Sequence, residues 1–309
     1  MSTGLGWEPG PAETGALLGP EGQHLATFHW GSRANHPYVD DLRPLAHRGV
    51  LTAHAPHDHR WHHGLWWSWK FIDDVLFWED HPGYGGNRTG LGRSLVREHA
   101  VHEDDGRVRV SERLDWAVDA TGEVLLAEQR VVTAGLDPVL PGAWVLDWDQ
   151  RWRATREVVL STTPWPQTSW GGYAGLSYRP ARAMAAQEEL LASGGRRGAA
   201  AVHGERATWA AYTGLVDGAE VDEPEAPGRG GVALLPHPGD VGTPHPFYAA
   251  TAADGFGFLA TAPLMHGDLA LAAGEDLRLR TRVVVLPGPA EPDVLDAALS
   301  AWSGQPVPA

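Results

Sequence analysis

The sequence predicts a large all-β fold, an antiparallel two-sheet β-sandwich with a short C-terminal helix. Three observations carry this. Between Ser94 and Arg156 apolar and polar residues alternate at period two in several long runs, the pattern of antiparallel strands with one wet face. Asp104-Asp105-Gly106, Thr121-Gly122 and Pro141-Gly142 separate those runs as turns. Only residues 293–302 carry a convincing helical pattern: Val294, Leu295, Ala298, Leu299 and Trp302 share one face, between Pro292 and Gly304.

Taken in order, residues 1–22 read as a loose N-terminal leader rich in Gly, Pro and Glu. A single β-sandwich domain then spans 23–304. Leu25 to Trp30 has strand character, His36 to Val39 restarts an extended segment, and Gly49 to Thr52 is a further short strand. Residues 80–92 form a glycine-rich loop expected to be mobile and near the site. After the meander, Val158 to Leu160 is a buried-type run, and Leu176 to Pro180 is a strand end. Strands also fall at Ala207 to Tyr212, Val232 to Leu235, Phe256 to Ala260 and Leu277 to Leu286. Ser193 to Ala199 and Asp217 to Gly231 read as surface loops.

Composition excludes several classes. The formal charge is −15 with no basic run, which argues against nucleic acid and anionic membrane surfaces as partners. There is no cysteine, so thiolate ligands, disulfides and a Cys nucleophile are excluded. No stretch approaches the roughly 18 apolar residues of a membrane span. The N-terminus shows neither a basic n-region nor an apolar h-region, so the default expectation is a soluble, cytoplasmic protein. Lys70 is the single lysine, and arginine supplies the other basic residues, a bias that reads as genome composition.

Chemistry concentrates between His54 and Trp78. This stretch holds His54, His57, His59, His62 and His63, together with Trp61, Trp66, Trp67, Trp69 and Trp78. Pro56 and the density of polar side chains predict a loop before a strand at Gly64 to Trp69. Imidazoles gathered on a loop suit two chemistries. One is proton transfer by His59, His62 or His63, with Asp58 orienting a ring and Glu79 as a further acid. The other is a divalent metal held by His57, His59 and His62 with a carboxylate. The spacing matches no familiar metal signature, and no nucleotide cofactor is expected. Aromatic faces beside His and Asp also suit the apolar face of a pyranose, with Trp66, Trp78 and Tyr173 as candidate platforms and Trp61, Trp165 and Trp170 behind them.

At these residues the chain resembles the bacterial PmoA-like family of unknown function. The resemblance runs through His36-Pro37-Tyr38-Val39, Gly49 to Thr52, Asp58-His59-x-x-His62-His63-Gly64-Leu65-Trp66 and Phe77-Trp78. It continues in Gly175 to Arg179, Arg206 to Trp209, Gly231 to Pro238 and Arg280 to Val285, covering about residues 25 to 287. It implies a supersandwich similar to galactose mutarotase and a carbohydrate ligand. The family's label is shared with a methane monooxygenase subunit, an integral membrane protein whose spans this chain lacks. The resemblance also implies a second wall: Arg179 clamping sugar hydroxyls or a carboxylate, His237, and more weakly Arg206 and His266. Where the family has Asn after the His-Pro pair, this chain has Gly239-Asp240.

Three functions follow. The first is a carbohydrate-active enzyme of hydrolase, lyase or epimerase type. The second is a non-catalytic carbohydrate-binding or accessory protein on the same fold. The third is a metal-dependent oxygenase using two histidines and a carboxylate. Convergence of three or more imidazole and carboxylate groups on one pocket distinguishes the first from the second.

Overall fold

The structure is a computed structural model that describes residues 4–31, 33–46, 49–86, 88, 90–217 and 228–304. Each long alternating run is a strand. Gly90–Asp104, Arg107–Val118, Val124–Leu136 and Trp144–Ala154 form an antiparallel meander, and Asp276–Leu286 pairs with the last of them. The first turn shows why the meander folds back so tightly. Asp105 and Gly106 sit at φ +48° and +73°, the two left-handed positions of a type I′ hairpin. These five strands are the centre of a thirteen-stranded back sheet.

The front sheet has eight strands. In spatial order they are Gly6–Pro9, Thr14–Leu18, His24–His29, Tyr38–Asp40, Leu65–Ser68, Gly175–Tyr178, Gly257–Thr261 and Phe247–Thr251. Successive side chains point to opposite faces, which divides each strand between two environments. Leu65, Trp67, Leu176 and Tyr178 belong to the core between the sheets, where Trp67 and Trp69 meet Trp152 at 5.0 and 5.1 Å between ring centroids. Trp66, Tyr248 and Phe258 belong instead to a separate cluster on the outer face of the front sheet. The helix Pro292–Ser303 packs Leu295, Ala298 and Trp302 with Val284 and Leu286 on the outer face of the back sheet. Among the described residues no helix is long and apolar enough to cross a membrane.

The structure corrects three expectations. Within the stretch 1–22, residues 4–18 are no loose leader. They supply the edge strands Gly6–Pro9 and Thr14–Leu18, anchored by buried Leu5 and Leu17 and by Trp7 against Phe28 at 5.3 Å. Those strands are short and flanked by Gly and Pro, which hides the alternation. Gly49 to Thr52 forms no strand, because its pairing is confined to one antiparallel bridge, Thr52 with Pro180. Of the predicted loop from Asp217 to Gly231, residues 218–227 lie outside the described residues, and a strand already starts at Arg229.

Glu128 holds a buried polar network in the back sheet. Its carboxylate accepts from Trp116 Nε1 at 2.7 Å, Arg130 Nε at 2.8 Å and Gln150 Nε2 at 2.8 Å. Removing a buried carboxylate strands its partners. Glu128→Ala is therefore expected to lower the unfolding free energy by about 3–5 kcal/mol, read as a fall in the urea midpoint. A loss below about 1 kcal/mol would mean that those partners re-pair without it.

Candidate active site

The histidine-rich stretch is a loop, as Pro56 and its polar density predict, and the loop is closed at its neck. His54 and His63 form an antiparallel bridge, Ala55 N donates to His62 O at 2.8 Å, and Gly64 N donates to Ala53 O at 3.0 Å. Gly64 then carries the chain into the strand Leu65–Ser68 at φ +66°. A Cβ there would lie 2.7 Å from Val39 O, so the position requires glycine. Between the two ends, residues 54–63 stand on the outer face of the front sheet.

That excursion forms one wall of a hollow of about 550 Å³. Asp58, His59, Trp61 and His62 line it on this side. Trp78, Glu79 and Tyr84 come from the next loop, and Tyr173 and Trp170 from the loop before Gly175. Tyr248, Phe256 and Phe258 close the far side. Trp170 and Tyr84 are exposed at 53% and 48%, so aromatic surface stays open to solvent around the site.

Behind this wall is a network of hydrogen bonds centred on Asp58. Arg179, fully buried, donates Nη2 to Asp58 Oδ2 at 2.6 Å and Nη1 to His62 Nδ1 at 3.3 Å. Arg182 Nη2 donates to Asp58 Oδ1 at 2.9 Å, and His59 Nδ1 donates to Asp58 Oδ2 at 3.1 Å. Burial alone would raise the Asp58 carboxyl, but hydrogen bonds from Arg179 and His59 outweigh it and hold the group well below the usual carboxylate range. Asp58 is thus a fixed anion that orients its neighbours.

The two imidazoles at the wall acquire different roles. Arg179 can only donate, so His62 Nδ1 accepts and Nε2 carries the proton. Burial first, then the neighbouring His59 and Arg179, hold His62 well below its ordinary value, and the ring is neutral. His59 donates from Nδ1 to a carboxylate, which leaves Nε2 as the basic nitrogen. Among the described residues neither Nε2 has a hydrogen-bond partner, and both rings line the hollow.

The opposite wall rests on Lys70. This side chain is fully buried, and its Nζ donates to Glu79 Oε1 and Oε2 at 2.5 and 2.6 Å and to Tyr173 Oη at 2.7 Å. Tyr173 Oη donates to Glu79 Oε1 at 2.9 Å. Burial, followed by the Glu79 charge, pushes the Tyr173 phenol well above its ordinary value, so it remains a neutral donor.

Of the residues expected at the site, Asp58, His59, His62, Glu79, Trp78 and Tyr173 line this one hollow. The other expected residues lie elsewhere. His63 points away from its neighbour His62, as adjacent residues in extended chain do, and sits among Tyr38 at 4.6 Å, His54 at 5.0 Å and His36 at 5.7 Å. His237 lies just past the back-sheet strand Arg229–Pro236, 5.0 Å from Trp302, with its Nδ1 accepting from Gly239 N. Trp66 backs the wall, fully buried, 5.0 Å from His62 and 5.7 Å from Trp78. Arg179 stands behind Asp58 and offers no clamp to a ligand. Trp165 lies apart from the hollow, against His203 and His266, while Arg206 caps the carbonyls of Gly242 and Pro244. Asp240 pairs with Arg280 and does not line the hollow.

The proposed metal ligands do not converge. His57 is exposed and faces Arg182 at 3.5 Å. His59 and His62 stack face to face at 4.7 Å and 22°, so their in-plane lone pairs run side by side instead of meeting at one point. Among the described residues no three His, Asp or Glu side chains are grouped to hold a metal ion.

Residues 17–300 match the model of DUF6807, a family of unknown function. The chain belongs to that family. No curated protein matches it. Among solved structures, the DUF6807 chain is similar to a TPR-domain containing protein from Parabacteroides distasonis, at 11% identity and a TM-score of 0.26. That match covers 96% of this chain and 48% of the other, so the chain spans about half that protein's length, and a likeness this low supports no argument.

Lys70, Arg182, Tyr84, Tyr248, Phe256 and Phe258 were not picked out from sequence. The signal for Lys70 was its rarity: a single lysine beside three tryptophans in a chain that otherwise uses arginine. Phe256 and Phe258 fall two apart, and so does Tyr248 from the half-buried Ala250, but such spacing marks any strand face.

The buried histidines make stability depend on pH. Burial is the main cause that holds His36 and His62 well below 6.5 and pushes His63 to about 3 and His245 to about 4. Neither ring nitrogen of His36 has a hydrogen-bond partner. In the unfolded chain these rings titrate at their ordinary value of 6.5, so below it the unfolded state binds more protons than the folded one. Stability is complete above that value and falls with pH through the window between it and the folded-state values, by about 1.4 kcal/mol per pH unit for each such ring. Urea unfolding at pH 7 and pH 5 checks this, and equal stability at both would contradict it.

Proposed function

We propose that the protein is a carbohydrate-active enzyme in which His59, oriented by Asp58, moves a proton to or from a sugar ring bound in the aromatic hollow. The observation that carries this reading is the arrangement of His59, Asp58 and Arg179. A basic Nε2 lines a hollow of about 550 Å³, its other nitrogen is tied to a fixed carboxylate, and that carboxylate is tied to a buried guanidinium. His62 offers its Nε2–H close by, as a neutral donor for an oxygen that gains charge as the proton leaves.

Base and donor side by side suit lyase or epimerase chemistry better than two-carboxylate hydrolysis. Glycoside hydrolysis calls for one carboxyl that stays protonated and one that attacks or activates water. Asp58 is held ionised, and Glu79 accepts from Lys70 through both oxygens. A non-catalytic binding protein would need only the aromatic surface, whereas here two imidazoles and two carboxylates line the same hollow. The resemblance to the PmoA-like proteins, and through them to mutarotase-like sandwiches, supports a sugar as ligand.

Proton abstraction is detectable before the substrate is identified. Incubation with pooled monosaccharides and disaccharides in D2O, followed by proton NMR, should reveal exchange at a sugar C–H or an accelerated epimerisation. His59→Ala should slow that process by about 10²–10⁴-fold while sparing the fold. Full activity in His59→Ala would remove His59 from the chemistry.

A further inference from the structure

Resting on the reading of the hollow as a sugar site, we infer that it selects an uncharged, hydroxyl-rich ring and rejects acidic sugars such as uronates, aldonates and sugar phosphates. The inference comes from where the charges stand. The hollow is lined by the carboxylates Asp58 and Glu79, and among the described residues that line it there is no lysine or arginine. Their counter-ions stand behind them. Arg179 and Lys70 have fully buried side chains and cannot turn toward a ligand. Arg182 is engaged at both ends, with Nη1 on Asp254 O at 2.8 Å and Nη2 on Asp58.

Counting acceptor capacity gives the ligand's chemistry. A carboxylate offers about four lone-pair sites. Asp58 uses all four, for Arg179, Arg182, His59 and its own backbone N–H. Glu79 uses three, two for Lys70 and one for Tyr173. Glu79 alone keeps one open site on a residue of the lining, and an open carboxylate site calls for a hydroxyl donor. Tyr84 and Trp170, the exposed aromatic rings of the lining, meanwhile offer apolar faces that match the C–H face of a sugar ring.

A ligand carboxylate or phosphate would instead face two carboxylates with no lysine or arginine on the lining to pair with it, and such a juxtaposition is unfavourable. Nor does the wider field help an anion. The two guanidiniums are matched by Asp58 and by Asp254, whose charge acts on Arg179, and the whole chain carries a formal −15.

The test is saturation-transfer NMR on the full chain at physiological salt. It compares a mixture of uncharged mono- and disaccharides with a matched mixture of their uronates, aldonates and phosphates, and then titrates the binding members singly. At least one uncharged sugar should bind, and its acidic counterpart should bind at least about tenfold more weakly. In Asp58→Asn, where two guanidiniums lose their counter-charge, that ratio should shrink or reverse. The wild-type ratio decides the matter even if the variant folds poorly. An acidic sugar that binds as tightly as its neutral counterpart overturns the inference and leaves the sugar reading standing. Binding of neither mixture overturns the sugar reading itself.

Discussion

The site depends on one ion pair. Arg179 leaves the strand Gly175–Tyr178 on the outer face of the front sheet, and its guanidinium meets Asp58 at 2.6 Å. A fully buried guanidinium without a partner is very costly, so the loop that carries Asp58 is drawn down onto the sheet. Once Asp58 is there, the adjacent rings follow. His59 turns its Nδ1 to the same oxygen that Arg179 holds, and His62 accepts from the other arm of the guanidinium. One contact between distant parts of the chain thus sets the tautomers of two imidazoles. Phe256 covers the guanidinium at 4.2 Å and helps keep water from competing for it.

The two walls of the hollow repeat the same device. On one side a carboxylate is backed by Arg179, and on the other Glu79 is backed by Lys70. Each anion is fixed in place and lines the hollow with its cation out of reach. Dipoles and charges held this way need no reorganisation when a ligand arrives, which is the physical basis of a preorganised polar site. Aromatic rings between the two anions supply the apolar contact area.

Much of this was legible in the sequence, for reasons that can be located. Period-two alternation from Ser94 to Arg156 marked the meander because those strands have one face in the core. The polar crowding of 54–63 marked the excursion because a strand there would have buried charged groups. What remained hidden were relations between sheets. His237 looked like a site residue by its place between prolines at a strand end, yet Arg229–Pro236 pairs with Asp276–Leu286 in the back sheet. Linear order does not say which of two sheets a strand joins. His62 and His63 read alike in sequence and diverge in space, because neighbours in extended chain face opposite ways. Lys70 reads as a compositional oddity until Glu79 and Tyr173 are seen around it.

The most direct measurement of the central claim is the protonation and tautomer of the imidazoles at positions 59 and 62, by nitrogen-15 NMR of histidine-labelled protein across pH 5 to 8. The account predicts a His62 ring that stays neutral throughout, with the proton on Nε2 and Nδ1 as acceptor, and a His59 ring whose Nδ1 keeps its proton beside Asp58. A His62 that titrates near its free value, or that carries its proton on Nδ1, would mean that Arg179 does not hold the site as described.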